Sequence, residues 1–570
     1  LIAEAHQTHT FMLDELVAAA KSAGLSPKMS VSVESYDSNK LRRAVSQARP
    51  LPLSRQERPV VSTHATGLFV FLAMGFGAIN RRRLFQTRSR QVSVMNPTVM
   101  KFGGTSLEDV GAFERVLNVV RAQSTEHAAS TVVVVVSAMS RVTDALLASV
   151  ERAAQGEAGE AAQMLDEHFE RYLVVARARL REDAQGTIEA AVESARREIA
   201  ELLHSLASRS MPRPVLQDLI VSYGECLSAT LLAAVLGEAG LAASYVDARL
   251  LIVTTAEHGR AEPLINETNE RTCAELEPLI NASIIPVLGG FIGASADGRT
   301  TTLGRGGSDY TAALIGAALG AREIQIWTDV SGVLTADPRL IEQARTIPRL
   351  TYREAAELAY FGAKVLHPKT IQPAVEQLIP VRICNTRAPE DAGTLVGSEP
   401  EASPHTVKAI AHKTGVTTVQ ITSARMLGAY GFLHAIFEIF NRHRTVVDVV
   451  TTSEVSVSLS LDEDEGLSAI IHELNDLGVV EVEPERAIIC IVGEGLRGTP
   501  GIAARIFGSL TDINISLISQ GASSVNLTFA IEAEHLHEAV ARLHAAFFEG
   551  EPEEMAARSA NIIELREAAP

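Results

Sequence analysis

The chain has 570 residues, 46% of them hydrophobic and 21% charged, with a mean hydropathy of +0.13. That is the composition of a globular protein of roughly three or four domains at about 150 residues each, and it excludes disorder as the main state, collagen-like repeats and a disulfide scaffold. A net charge of −18 argues against a nucleic-acid partner, and Cys226, Cys273, Cys384 and Cys490 form no CxxC pair, which points to a reducing, cytoplasmic setting without structural zinc.

The charge is unevenly spread. Residues 1–97 carry thirteen Lys or Arg and six Asp or Glu, net +7, which leaves −25 for the remainder. An apolar run at 67–79 precedes Arg81-Arg82-Arg83; it is shorter than the ~20 residues of a membrane span and in the wrong order for a signal peptide, so no membrane association is expected. We read 1–97 as a dispensable or non-native extension, with Met95 or Met100 close to the true start.

From Thr98 an α/β pattern begins. Residues 99–102 form a short strand that breaks at Gly103-Gly104, with Thr105-Ser106 placed to cap a helix; 131–136 is a β-branched run suited to a strand buried on both faces. Residues 151–207, rich in Ala, Glu, Arg and Leu, predict long helices, and 283–291 and 323–328 predict two more buried strands. Strands alternating with helices predict a mostly parallel sheet, with ligands beyond the carboxyl ends of its strands. This domain closes near Gly397, and 398–412 reads as a linker. Beyond it Gly431, Phe437, Ser453 and Val455 recur seventy positions later as Gly501, Phe507, Ser523 and Val525, which predicts two copies of a small α+β module, over 413–483 and 484–570.

Four motifs carry chemistry. Lys101-Phe-Gly-Gly-Thr-Ser106 sets a cation before a Gly-rich turn, either to cradle phosphate or simply as a strand–turn–helix join with a solvated lysine; GxxxxGK[ST] spacing is absent. In Gly304-Arg-Gly-Gly-Ser-Asp309 an arginine on a bare backbone suits a carboxylate ligand, the alternative being Arg305 paired to Asp309 on a polar loop. The stretch from Trp327 to Arg339 supplies hydroxyls, two acids and an arginine suited to Mg²⁺–phosphate contacts, or is a turn-rich loop stiffened by Pro338. Lys364 follows near a proline break; His367 reads as a satisfied core histidine, since no HxE or HExxH spacing supports a metal role.

Taken in order, Lys101-Phe-Gly-Gly-Thr-Ser, Ser137-Ala-Met-Ser with Thr143, Gly224-Glu225, Gly304-Arg-Gly-Gly-Ser-Asp309, Thr328-Asp329 with Asp337-Pro-Arg339, and Phe361-Gly-Ala-Lys-Val-Leu-His-Pro368 resemble the aspartate kinases, and the repeat resembles their tandem ACT domains. The resemblance spans about four-fifths of the chain and leaves 1–97 unexplained. It implies an amino-acid-kinase α/β/α sandwich followed by two α+β ACT domains, and transfer of the ATP γ-phosphoryl group to the β-carboxylate of L-aspartate, the first step towards lysine (by way of diaminopimelate), threonine and methionine. It implies that Lys101, with Gly103 and Gly104, meets the transferring phosphoryl. Ser137, Thr143, Glu225, Arg305, Gly306, Gly307 and Ser308 then hold aspartate, Glu225 facing its ammonium and Arg305 its α-carboxylate. Thr328, Asp329, Leu334, Arg339, Lys364 and Val365 hold ATP, and Asp309 organises the lysines or Mg²⁺. Family members often carry tyrosine at the position of Leu334 and serine at that of Ala429.

The segment from Met426 to Leu433, with Val446-Val-Asp448 and Thr451-Thr-Ser-Glu-Val455, resembles the lysine-sensitive members. That likeness implies an L-lysine site lined by Met426, Ala429, Phe432, Leu433, Val447 and Asp448, with Asp448 facing the ε-ammonium; the plainer alternative is ACT core and dimer contacts with Asp448 solvated. A homodimer through the ACT domains is expected. The competing readings are another amino-acid kinase and a non-catalytic amino-acid sensor with a degenerate kinase domain; no GxGxxG opens a late βαβ unit, so a fused dehydrogenase is not expected.

Overall fold

The computed structural model describes residues 96–125, 131–209, 211–362, 366–398, 406–462 and 466–549. The expectations for residues 1–95 and for Lys364 and Val365 therefore lie outside the described residues.

An eight-stranded sheet forms the centre of the first domain. Its strands are β1 (Thr98–Phe102), β2 (Val132–Val136), β3 (Ala243–Val246), β5 (Ile285–Gly289), β8 (Glu323–Thr328), β9 (Arg349–Thr351), β10 (Val381–Asn385) and β11 (Thr394–Gly397). They lie in the order β3-β5-β2-β1-β8-β10-β11-β9, and among these neighbours only β10 and β11 run antiparallel. A small second sheet holds β4 (Val253–Thr254), β6 (Ile292–Ser295) and β7 (Thr300–Thr302). All five valines of β2 are buried, as a run covered on both faces requires, and each such side chain contributes about 1.5–3 kcal/mol by leaving water.

The helices of this domain are α1 (Val110–Thr125), α2 (Val142–Ala154), α3 (Ala158–Gln163), α4 (Asp166–Arg179), α5 (Glu182–Ala207), α6 (Arg213–Glu238), α7 (Ile265–Asn281), α8 (Gly307–Leu319), α9 (Tyr352–Tyr360) and α10 (Pro368–Glu376). The helical stretch 151–207 is present but broken into four pieces. The predicted strand 283–291 is shorter than expected: β5 ends at Gly289, because the chain turns at Gly290-Phe291, where Phe291 has φ 69°, before β6 starts at Ile292. The cap placed at Thr105-Ser106 is corrected: Asp109 accepts from the Ala112 N–H at 2.8 Å, while the Ser106 hydroxyl meets Thr386 Oγ1 at 2.9 Å across the sheet end. The helix α6 alone among the described residues is long and apolar enough to cross a membrane, and it is mostly buried in the core.

The repeat is real, down to its turns. Gly431 and Gly501 both take φ 79° one residue before a helix, and Ser453 and Ser523 each accept from the N–H two residues on, at 3.4 and 3.2 Å. Its elements are β12 (Ala409–Thr422), α11 (Phe432–His443), β13 (Val447–Thr452), β14 (Ser456–Asp462), α12 (Leu467–Leu474), β15 (Val479–Val492), α13 (Ile502–Gly508), β16 (Leu517–Gln520), β17 (Asn526–Glu532) and α14 (Leu536–Phe548), in one six-stranded sheet ordered β13-β14-β12-β15-β17-β16.

The expected division of that region needs correcting. Residues 409–413 are strand, paired with Ile488–Val492 in the half of β15 that also pairs with β17; only from Val416 does β12 pair with β14. The two long strands β12 and β15 thus serve both modules, and the second module takes its edge from chain that precedes the first. β12 thus begins inside the expected linker 398–412, and β15 runs across the expected boundary at 483.

Candidate functional site

The site lies where strand order placed it, beyond the carboxyl ends of β1, β2, β5 and β8. Backbone hydrogen bonds bind these ends together: Gly103 N–H to Trp327 O (3.1 Å), Ser137 N–H to Phe102 O (3.1 Å), Ser140 N–H to Gly104 O (3.1 Å) and Gly290 N–H to Val136 O (2.8 Å).

Lys101 on β1 reaches the first turn of α8, where its Nζ stands 2.7 Å from Asp309 Oδ1, both side chains mostly buried. This removes the plainer alternative for each motif. Lys101 is not a solvated lysine, and Asp309 pairs with it rather than with Arg305. Arg305 is exposed and has no ion pair among the described residues, so its guanidinium is available to a ligand. The turn that presents it needs its glycines. Gly306 has φ 73°, in the left-handed region that a side chain rarely adopts, and a Cβ on Gly290 would stand 2.7 Å from Ser308 Cα. The absence of that Cβ lets the α8 start close on β5, and there the Ser137 hydroxyl donates to Ser308 Oγ at 3.0 Å.

Glu225, on α6, packs under the end of β5 and is 3% exposed. Its Oε2 has no hydrogen-bond partner among the described residues. Burial pushes its carboxyl up to about 8, against the opposing pull of the Ala138 N–H and its own. A buried, unpartnered carboxyl is costly unless a cation arrives to match it. Thr143 sits half-buried in the first turn of α2. Ser137, Ser308 and Glu225 thus meet around the ends of β2 and β5, with Arg305, Gly306 and Gly307 on the turn that enters α8 at Ser308.

The residues expected to border a nucleotide are less assembled. Thr328 ends β8, its hydroxyl on Asp329 Oδ1 at 3.1 Å. Leu334 is half-buried, bridged through its backbone to Thr346. Arg339 is exposed and turned back on Asp337, with Nε 3.0 Å from Oδ1 and Nη2 2.6 Å from Oδ2; the guanidinium holds the Asp337 carboxyl below its ordinary range. His367 is corrected too: it is exposed before α10, not a core histidine.

In the first copy of the repeat Met426, Phe432 and Val447 pack against its core, whereas Ala429 and Leu433 are exposed. Asp448 is not solvated. Its side chain is 4% exposed, 2.6 Å from Lys413 Nζ on β12, and it accepts the hydroxyl of Tyr360 on α9 of the first domain. Lys413 also meets Asp462 at 2.7 Å. Sequence reading missed Lys413 and Tyr360, and equally Asp218, a fully buried carboxylate seven residues before Glu225; an acid two helical turns from Glu225 inside the apolar stretch of α6 was its signal.

The amino acid kinase family matches residues 96–385 and an ACT domain matches residues 489–547. The chain is 38% identical over 459 residues to the lysine-sensitive aspartokinase 3 of Escherichia coli K12, covering 79% of this chain and 99% of that protein. Two solved structures of E. coli aspartokinase III are similar at the same identity. The complex with aspartate and ADP has a TM-score of 0.67, covering 79% of this chain and 99% of that one; the complex with lysine and aspartate has a TM-score of 0.66, covering 80% and 100%.

Proposed function

The chain belongs to the aspartokinase family, whose members phosphorylate aspartate, and we propose that it transfers the γ-phosphoryl group of ATP to the β-carboxylate of L-aspartate through the residues gathered around Lys101. The observation that carries this reading is the Lys101–Asp309 contact at the strand ends, together with a buried Glu225 oxygen that has no partner and an Arg305 with no ion pair among the described residues. A β-carboxylate oxygen attacks the γ-phosphorus as the bond to ADP breaks, giving 4-phospho-L-aspartate. The nucleophile is already an anion, so no general base is needed; positioning and neutralisation of the phosphoryl oxygens are. Lys101 supplies the charge, Arg305 and Glu225 hold the two ends of the amino-acid moiety, and Thr328, Asp329, Leu334 and Arg339 border the nucleotide.

Mg²⁺ binds mainly through phosphate oxygens, water and one or two carboxylates. Asp329, exposed at the end of β8, and Asp309 fit that donor set, and the ion would offset charge on the ATP phosphates. The exposed apolar side chains Leu427, Tyr430, Leu433, Phe437 and Val446 support a homodimer through the first ACT module, and four free cysteines support a cytoplasmic setting. L-lysine, the end product of one branch fed by this reaction, is the proposed effector.

The test is ATP-dependent formation of aspartyl hydroxamate, with lysine, threonine and methionine each added separately. No turnover of aspartate while another amino acid is phosphorylated would overturn the substrate, and no turnover at all would favour a sensor. Two further outcomes follow from the geometry. Arg305→Lys raises KM for aspartate with little change in that for ATP, since a point charge cannot reproduce a bidentate fork; a rise confined to ATP places Arg305 on the wrong ligand. Glu225 must be ionised to hold an ammonium, and in the free enzyme it titrates near 8. Hence kcat/KM for aspartate climbs with pH towards about 8 and levels beyond, and Glu225→Gln lowers it and removes that limb. A limb that survives in Glu225→Gln belongs to another group.

A further inference from the structure

The helix α6 carries two buried carboxylates on one face. Asp218 and Glu225 are seven residues apart, two turns or about 10 Å along the axis. Glu225 faces the proposed ammonium site, but Asp218 touches nothing in it. Its oxygens are taken up from outside the helix instead: Thr302 Oγ1 donates to Oδ1 at 2.7 Å, the Gly259 N–H reaches both oxygens at 3.1 and 3.0 Å, and His258 Nδ1 stands 2.9 Å from Oδ2. The carboxylate is 1% exposed. A buried charge held by this many donors fixes their positions relative to one another, because releasing any of them leaves it poorly matched.

Those donors flank the arginine turn. Thr302 ends β7, two residues before Gly304, where φ is 74°. Gly259 lies across from it: a Cβ on Gly304 would stand 3.5 Å from Gly259 O, and the Ala261 N–H donates to Thr302 O at 2.8 Å. From Gly304 the chain runs through Arg305 into α8, with the Gly307 N–H closing on Gly304 O at 3.0 Å. Arg305 itself has no ion pair among the described residues, so its place is set by the turn beneath it.

We propose that Asp218 is a positioning residue for the amino-acid substrate: it clamps the strand end at Thr302 to the loop at Gly259, and so fixes the turn that presents Arg305 at a set distance from Glu225. One helix then dictates the spacing between the group that meets the ammonium and the group that meets the α-carboxylate, which makes it a ruler for the amino-acid moiety. The inference rests on the assignment of Arg305 to aspartate.

The experiment measures KM for aspartate, KM for ATP, kcat and Tm for Asp218→Ala, Thr302→Val, Arg305→Ala and the double variant Asp218→Ala/Arg305→Ala. Misplacing the turn raises KM for aspartate on the order of tenfold in Asp218→Ala and less in Thr302→Val, with KM for ATP nearly unchanged. In the double variant, removal of Asp218 adds almost nothing to the effect of Arg305→Ala, since the group being positioned is gone. A lower Tm with an unaltered KM for aspartate makes Asp218 structural only and overturns the proposal, as does a full additional rise in the double variant. Should Asp218→Ala fail to fold, Thr302→Val and His258→Ala carry the test, and an unchanged KM in both overturns it. If Arg305→Ala leaves KM for aspartate unchanged, the assignment of Arg305 has failed; if Arg305→Ala raises it and Asp218→Ala does not, the positioning inference alone has failed.

Discussion

Lys101→Ala lowers kcat by about 10²–10³, corresponding to about 3–4 kcal/mol of lost transition-state stabilisation, while the protein stays folded. Folding survives because Lys101 is bound to its neighbours through backbone: β1 pairs in register with Val135 on one side and Ile326 on the other, whatever the side chain. Activity does not, for two reasons that act together. The ammonium that would meet the phosphoryl oxygens disappears, and Asp309, 2.7 Å away, loses the cation that balances it. A bare carboxylate then faces an incoming polyphosphate, which adds repulsion to the lost attraction. The double variant Lys101→Ala/Asp309→Ala is therefore no slower than Lys101→Ala by anything near the sum of the single effects. Steady-state kinetics alongside circular dichroism checks both statements. Activity within tenfold of the parent would refute the role of Lys101.

The parts of this molecule that were legible in its sequence share a physical cause. Strands such as β2 and β8 are short, apolar and bounded by glycine or polar turns, so local pattern alone defines them, and Glu323–Thr328 emerges at its predicted bounds. Gly431 and Gly501 mark a repeat because a left-handed turn before a helix restricts the residue there. Pairings between distant segments were not legible. Arg305 and Asp309, four positions apart, look like partners, yet α8 begins between them and turns Asp309 towards β1. The expected linker ends at His412, whereas a strand already begins at Ala409, crosses from one module to the other and shifts register between Lys413 and Val416. Lys413 was not legible because its partners Asp448 and Asp462 lie on two other strands. Asp218 was hidden differently: an acid in a helix rich in apolar residues has no neighbours in sequence that reveal its partners, all of which lie 40 or more positions away.

Asp448→Ala raises the concentration of L-lysine needed for half-inhibition on the order of tenfold or more. A charge-assisted hydrogen bond to an ammonium is worth about 1.5–3 kcal/mol, and that loss converts to at least this factor in affinity. The structure adds a condition that sequence did not contain: Asp448 already holds one lysine side chain, that of Lys413, together with the Tyr360 hydroxyl from the helix that leads into the Phe361-Gly362 turn of the catalytic domain. A free lysine that takes up Asp448 must displace or share these contacts, and Lys413 retains Asp462 as a second acceptor if it moves. Binding of lysine then differs between the arrangement in which Tyr360 is engaged and one in which it is released, and such a difference is required, since a ligand with equal affinity for both states shifts nothing. Lys413→Met, which removes the internal competitor but keeps Asp448, consequently lowers the inhibitory concentration, opposite in sign to Asp448→Ala. Inhibition curves at fixed aspartate and ATP distinguish the two. Equal responses in both variants, or a parent enzyme that ignores lysine and answers to threonine, would remove Asp448 from the effector site while leaving the kinase reaction untouched.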